Sequence, residues 1–225
     1  MNNLIGKTLS GFLMLLVSLS ALILLPAWTI NYLQAWIYLL TFAISVILIT
    51  TYLFKNDPNL LERRLKVGPT AEKEKSQKTI QALANVFFCL VFIVAGFDYR
   101  FHWSNVPIYI SIIADVFVVL GFFIVFLAFK ENSYTSGIIE VDKDQKVIST
   151  GPYGMVRHPM YSGAILMMLF SPIALGSYWA VLCVVPLIFT IVMRLLDEEK
   201  FLSKNLSGYN EYCQKVHYRL IPLIW

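Results

Sequence analysis

Hydrophobic positions fall in long unbroken runs along this chain, separated by a few compact polar segments. Four runs stand out: Thr8–Ile30, Leu33–Phe54, Ile80–Phe97 and Ile108–Phe129. Each is near or above the roughly 17 residues that a membrane-crossing helix needs. A fifth apolar region, Tyr161–Met193, is interrupted at Gly176-Ser177. Its halves, of about 15 and 16 residues, are slightly short for a comfortable crossing. Two tight spans and a re-entrant helical hairpin both satisfy this pattern, and both return the chain to the side it left. A membrane barrel would show alternating segments of about ten residues instead. The fold class is therefore an all-α polytopic membrane protein with about five to six transmembrane helices, the last ones forming a C-terminal hairpin. The run after Lys7 is too long for a signal-peptide core and lacks a small-x-small cleavage site, so it reads as a retained first span.

Composition agrees: 58% of the 225 residues are hydrophobic and 15% aromatic, with mean hydropathy +0.67. A soluble domain of this size could not bury so much apolar surface. The three cysteines, Cys89, Cys183 and Cys213, fit neither a zinc spacing nor a disulfide framework and read as ordinary reduced thiols.

Charge changes the picture more. With a cytosolic N-terminus, the inner segments are 1–7, 55–79, 130–160 and 194–225, and they hold 17 of the 18 Lys and Arg. Arg100 is the one left outside. Under the positive-inside rule both termini are then cytosolic, in a plasma membrane if the host is prokaryotic and in the endoplasmic reticulum if it is eukaryotic. The chain reads as one integral membrane domain, 1–225. Residues 1–54 supply two spans, 55–79 a cytosolic loop, 80–129 two further spans, and 130–225 the hairpin, the tail and most of the polar chemistry.

The loop 55–79 mixes Leu60, Leu61 and Leu65 with Arg63, Arg64 and Lys66. It fits either a short amphipathic helix on the anionic inner leaflet or a solvated connection. Residues 131–150 have extended character at "GIIEV" and a turn at "DKDQ". Residues 197–225 begin as a continuation of the last span and finish in a Pro-containing aromatic end. His102, with Arg100 and Trp103, reads as an interfacial anchor. Asp115, inside the fourth span, pairs with a neighbouring helix or borders a polar cavity.

Candidate chemistry is concentrated in the last third. Arg157 and His158 enter the fifth apolar region; Arg194, Asp197, Glu198 and Glu199 leave it. If that region folds back, the two sets meet at one membrane face. Arg194 and Glu198 are four residues apart and share a helix face. A surface ion pair would explain those two. The convergence of a cation, an imidazole, paired carboxylates and several tyrosines points instead to a site. Phosphate-cradling glycine fingerprints, an H-x-x-x-H metal pair and a Gly-x-Ser-x-Gly elbow are all missing from the sequence, so nucleotide phosphates, a His-bound metal and a serine nucleophile are not expected. Nor do basic residues stripe an exposed domain, so nucleic acid is not an expected partner.

The ordered set "GPY–x–x–VRHP–x–Y–x–G", an apolar hairpin, "R–x–x–x–EE–x–x–L", "Y–x–x–Y" and a terminal "RLIP" resembles the isoprenylcysteine carboxyl methyltransferase family. Phospholipid methyltransferases of the same superfamily share part of it. The segments "DPNLLERRLKVGP–AEK–QK", "FDYRFHWSNVP" and "ENSYTSGIIEV–QKVISTGPY" extend the likeness forward to about residue 55. The resemblance implies a membrane-embedded methyltransferase with S-adenosyl-L-methionine as cofactor, a cytosolic pocket closed by the C-terminal tail, and a lipid-like or isoprenoid substrate. Carried over by position, it places Gln145, Lys146, Val147, Ile148 and Tyr153 beside the cofactor, with His158, Pro159, Met160 and Tyr161 and the adjoining Arg157. Glu198, with Glu199 beside it, falls on a second cofactor contact, and Arg194 on a substrate contact. Arg194 and Glu198 are thus the expected catalytic pair.

These roles make chemical sense. Arg157, His158 or backbone N–H groups suit a cofactor carboxylate, and Glu198 suits an ammonium. A sulfonium suits aromatic faces. Arg194 could hold a substrate carboxylate through a bidentate fork. Two other readings compete. Membrane sterol reductases, which use NADPH, also carry R-H-P-x-Y, but "RLLDEEKFL" with its paired carboxylates favours the sulfonium cofactor. A scaffold or transporter would place its polar residues nearer the bilayer midplane.

Overall fold

The computed structural model describes residues 2–65, 72, 74–139, 141 and 144–225. Among these residues it is helical with no strand. The helices are α1 (Asn2–Ala27), α2 (Leu33–Asn56), α3 (Pro58–Leu65), α4 (Lys75–Phe101), α5 (Ile108–Glu131), α6 (Pro159–Ala174), α7 (Trp179–Asn205) and α8 (Tyr209–Lys215). A single 3-10 turn, Gly151–Gly154, precedes α6. Five helices, α1, α2, α4, α5 and α7, are long and apolar enough to cross a membrane, and α6 is a shorter apolar helix. The chain is an integral membrane protein of the expected all-α class.

Both α4 and α7 outrun their apolar stretches. The first starts at Lys75 rather than Ile80, and the second continues past Met193 to Asn205. Hydropathy marks only the part of a helix that lipid can touch. The polar turns beyond it stay helical because nothing in them breaks the backbone ladder. These extra turns carry Gln77, Arg194, Glu198 and Glu199, so the site stands on rigid helix ends.

Packing closes the long helices into a ring of neighbours: α1 on α4, α4 on α7, α7 on α6, α6 on α5, α5 on α2 and α2 on α1. Tyr38, Phe92, Val118, Phe122 and Met168 lie in its core. Outward faces keep Val17, Leu40, Leu48, Phe123, Val185 and Phe189 exposed, as lipid contact requires. The hairpin break falls at Gly176, whose φ of +77° is a left-handed conformation that glycine adopts without a steric penalty. Next to it Ser177 donates to Asp98 of α4, and the Tyr32 hydroxyl donates to the Leu175 carbonyl. Asp98 also accepts from the backbone N–H and the hydroxyl of Ser104 at 2.7 Å each. The turn therefore lies level with the far ends of α1 and α4, while α6, at 16 residues, is shorter than the five helices of spanning length.

Three expectations change. First, Leu60 and Leu61 of α3 are buried against Leu53 and Phe129, while Arg63 and Arg64 each donate at 2.7 Å to the carbonyls of Ser133 and Ser136. This helix docks on the loop after α5 instead of presenting its arginines to lipid head groups; Lys66 lies outside the described residues. Second, "GIIEV" forms no strand over its described residues. Its backbone groups are taken by side chains: the Gly137 carbonyl accepts from Gln81 and Arg194, and the Ile139 N–H donates to Glu72. A loop whose polar backbone is satisfied this way needs no partner strand. Asp142 and Lys143, half of the expected turn, lie outside the described residues. Third, Asp115 is buried with no hydrogen-bond partner among the described residues, so the expected helix–helix bond is not formed.

The helices α5 and α6 approach one another closely. A Cβ on Gly163 would lie 2.6 Å from the Gly121 carbonyl oxygen, and one on Gly121 would lie 2.7 Å from that of Gly163. Small residues let backbones approach where no hydrophobic effect drives helices together. Gly163→Val is expected to destabilise the protein by about 2 kcal/mol or more through overpacking, read as a lowered midpoint in thermal unfolding of the detergent-solubilised protein. Valine at the lipid-exposed Val119 position is the native residue, and Val119→Leu should leave that midpoint nearly unchanged.

Candidate active site

The order Gly151-Pro152-Tyr153 makes a 3-10 turn, with Gly151 at φ +55° and its Cα packed on Glu131. Five residues after this turn ends at Gly154 the chain meets Pro159, which occupies the first turn of α6, where its missing N–H costs nothing. His158 is therefore held at the helix cap, and Tyr161 projects from the first turn. Opposite them stands the polar end of α7. Successive residues on a helix point about 100° apart, so the neighbours Glu198 and Glu199 face different partners. Glu199 turns towards Arg157, His158 and Arg219. Glu198 turns towards Tyr161.

Glu199 is the hub. Its Oε1 lies 2.8 Å from Arg157 Nε and 3.3 Å from His158 Nε2, and its Oε2 lies 2.8 Å from Arg219 Nε. The backbone N–H groups of Arg157 and His158 donate at 2.9 Å each to the carbonyls of Tyr218 and Arg219. Ser162 donates to the Leu220 carbonyl at 2.6 Å, and Tyr212 donates to the Tyr153 carbonyl at 2.7 Å. The C-terminal segment is thus laced to the segment 153–162 along its length.

A second cluster lies on the α4 side. Tyr161 donates to Glu198 Oε2 at 2.7 Å and accepts from Arg194 Nε at 3.2 Å. This links the i,i+4 pair Arg194 and Glu198 through one hydroxyl. Gln77 accepts from Arg194 at 3.2 Å and donates to Asp197 at 2.9 Å. Glu72 forms an ion pair with Arg194 at 2.7 Å.

Between these clusters is a cleft of about 850 Å³, part of it open to solvent. Gln145, Lys146, Val147, Ile148, Tyr153, Arg157, His158, Met160, Tyr161, Arg194 and Glu198 all line it. The structure thus brings together eleven of the thirteen residues singled out from the sequence. The other two stand behind the wall: Pro159 is buried at the helix start, and Glu199 braces Arg157 and His158 from outside the cleft. Sequence reasoning missed Asn132, Tyr134, Thr135, Ile138 and Ile139 from the loop after α5, and Leu202, Leu206, Tyr209 and Tyr212 from the far wall. Of the last four, Leu202, Tyr209 and Tyr212 were legible, since "EE–x–x–L" and "Y–x–x–Y" fall there. The loop residues lie in "ENSYTSGIIEV", which shares the resemblance, but nothing in that segment marked which of its side chains would face a cleft.

Electrostatically the cleft is mixed. Burial pushes the phenols of Tyr153, Tyr209 and Tyr212 upward, with nearby acidic groups adding to the effect, so they remain neutral donors. Arg64 is half-buried with its guanidinium 5.0 Å from the Phe129 ring centroid, and its pKa is lowered chiefly by desolvation. Among the described residues Glu198 has no salt bridge within 4.0 Å. No group of three or more His, Cys, Asp or Glu is arranged there to hold a metal ion.

The cleft is amphipathic and lies at one end of a bundle of apolar helices, and comparison with known proteins bears on what it could do. Residues 109–208 match the phospholipid methyltransferase family. Probable protein-S-isoprenylcysteine O-methyltransferases of Oryza sativa subsp. indica and subsp. japonica are each 28% identical to this chain over 114 residues, 48% of this chain and 60% of theirs. A Delta(14)-sterol reductase of Mus musculus is 32% identical over 84 residues, 36% of this chain and 20% of its own length. The chain spans less than two thirds of the length of these relatives. The resemblance to the methyltransferase superfamily read from the motif order is thus found, and it lies over the segments that build the cleft.

Because Glu199 joins three segments, Glu199→Ala should release the C-terminal one. Hydrogen exchange at the Arg157 and His158 amides should then quicken by about tenfold or more, as expected when a buried ion cluster loses its shared carboxylate. Unchanged protection would show that the backbone pairing holds without it.

Proposed function

We propose that the protein is an integral membrane methyltransferase that uses S-adenosyl-L-methionine to methylate a nucleophile, a carboxylate among the candidates, on an isoprenoid- or lipid-like acceptor. The observation that carries this reading is that the family match over residues 109–208 coincides with the walls of the cleft. The cleft also suits the cofactor. Its donor set is amphoteric. Glu198, a carboxylate without a cationic partner among the described residues, would hold the ammonium. The second ring nitrogen of His158, Gln145 and the backbone of 145–148 would meet the carboxylate and the adenosine. Tyr153, Tyr209 and Tyr212 present neutral aromatic faces to a sulfonium.

When bound, the cofactor supplies an electrophilic methyl group for direct displacement. What the chain contributes is alignment and exclusion of water. The tyrosines and Leu202 and Leu206 form a dry wall, and Tyr161 fixes the direction of Glu198. On this reading the N- and C-termini are cytosolic, following the distribution of Lys and Arg, and a water-soluble cofactor reaches the cleft from that side. The acceptor's apolar part stays in the bilayer, which accounts for building a cofactor enzyme among membrane helices. Arg194 stands on the acceptor side. The NADPH-dependent reductase reading draws on the mouse reductase similarity over 84 residues, and it is the one to test against.

Purified protein should bind S-adenosylhomocysteine in calorimetry. Glu198→Ala and His158→Ala should each weaken that affinity by about tenfold or more, the usual effect of losing a charge-assisted contact. Labelled methyl transfer into a lipid extract should follow, with base-labile label marking an ester. Binding of NADPH and none of S-adenosylhomocysteine would overturn the proposal in favour of a reductase.

A further inference from the structure

Arg194 is the cation an anionic acceptor would seek, and its guanidinium is already engaged on three sides. Nε donates to Tyr161 at 3.2 Å, Nη2 donates to the Gly137 carbonyl at 3.0 Å, and Nη1 meets Gln77 at 3.2 Å and Glu72 Oε1 at 2.7 Å. A bidentate carboxylate needs two adjacent N–H groups aimed the same way; here the edge carrying Nη1 is held by a carboxylate from the chain itself. The Glu72 side chain is 1% exposed and that of Arg194 is 12% exposed. Glu72 is also anchored by the Ile139 N–H, which donates to its Oε2 at 3.3 Å. Glu72 does not line the cleft, whereas Arg194 and Ile139 do. The ion pair is therefore desolvated, fixed from behind, and sits where an acceptor's negative head group would otherwise find its counter-charge.

We propose that Glu72 is a specificity-determining residue for the acceptor. By occupying Arg194 it acts as an internal competitor against acceptors that present a carboxylate to the cleft, while leaving acceptors without that charge unaffected. The inference rests on the methyltransferase reading, in which Arg194 faces the acceptor. Two like-charged carboxylates cannot share one guanidinium at hydrogen-bonding distance without strong repulsion. A carboxylate acceptor must therefore replace the Glu72–Arg194 contact. If Glu72 is neutralised, the partly buried Arg194 loses its closest carboxylate among the described residues, and the repulsion that Glu72 exerts on an incoming anion is removed.

The test is calorimetry on the full-length, detergent-solubilised protein saturated with S-adenosylhomocysteine. Dodecanoate is the charged probe and dodecan-1-ol its uncharged counterpart. Glu72→Gln should bind dodecanoate about tenfold more tightly than the native protein, the scale expected for removing a competing buried charge. Dodecan-1-ol and S-adenosylhomocysteine affinities should stay within about twofold, since neither has a charge that Glu72 opposes. Glu72→Asp keeps the charge but shortens the reach, and should gain a smaller, several-fold increase. It also serves if the glutamine variant fails to fold. An unchanged or weakened dodecanoate affinity in a variant that still binds S-adenosylhomocysteine would overturn the inference. So would an equal gain for dodecan-1-ol, which would reveal mere loosening of the site. Failure of the native protein to bind S-adenosylhomocysteine would instead sink the methyltransferase reading, so the two failures are distinct.

Discussion

One carboxylate, Glu199, joins the parts of the cleft that the membrane bundle alone would leave apart. It stands on α7, whose apolar half is fixed by lipid and by α4, and it reaches the Arg157-His158 pair ahead of α6 and Arg219 in the C-terminal segment. Partly buried cations beside lipid are costly unless a counter-charge and hydrogen bonds meet them together. Glu199 supplies both. Once Arg157 and His158 are fixed, their backbone N–H groups pair with Tyr218 and Arg219, and α8 is drawn over the cleft so that Tyr212 meets the Tyr153 carbonyl. The pairing of Glu198 with Tyr161 on the adjacent face follows from helix geometry once Glu199 is oriented.

Lipid imposes the complementary constraint at the opposite end. With hydrocarbon around the bundle, the turn of the α6–α7 hairpin cannot leave polar backbone exposed. Asp98 answers this by accepting from Ser104 and Ser177, and Tyr32 answers the Leu175 carbonyl. The hairpin is therefore pinned at its turn and again at its open ends. Close approach of α5 and α6 at Gly121 and Gly163 sets their separation. The cleft lies at the end of a rigid frame, on helix ends that carry the polar residues out of the hydrocarbon.

Much of this was legible because membranes simplify the code. A run such as Ile108–Phe129 admits few alternatives to a spanning helix, and α5 was observed from Ile108 with two further polar residues, Lys130 and Glu131, at its end. The meeting of the Arg157-His158 and Glu198-Glu199 segments was legible too, since a hairpin must return its ends to one side. What escaped was the division of labour between adjacent residues. Glu198 and Glu199 look equivalent in "DEEK", and only the rotation of α7 against α6 gives one to the cleft and the other to the bracing cluster. The docking of α3 also escaped, because amphipathicity reports an apolar face without saying whether lipid or protein covers it. Leu60 and Leu61 found protein.

Glu72 shows the same limit in a sharper form. A glutamate in a charged loop far from the "RHP" and "DEE" segments gives no sign that it will be buried. Its partner Arg194, by contrast, stands out in the sequence as the cation closest to the apolar hairpin. Folding joins the two because an arginine carried on a helix end beside lipid must be satisfied from several directions, and α4, the loop after α5 and α6 each contribute a group. Tyr161 takes Nε, Gly137 takes Nη2, and Gln77 and Glu72 take Nη1. The same satisfaction that lets Arg194 exist at the membrane edge also governs what else it can bind. On the proposed reading, stability of the cleft and selectivity for its acceptor are then set by one network, and a change in either partner alters both.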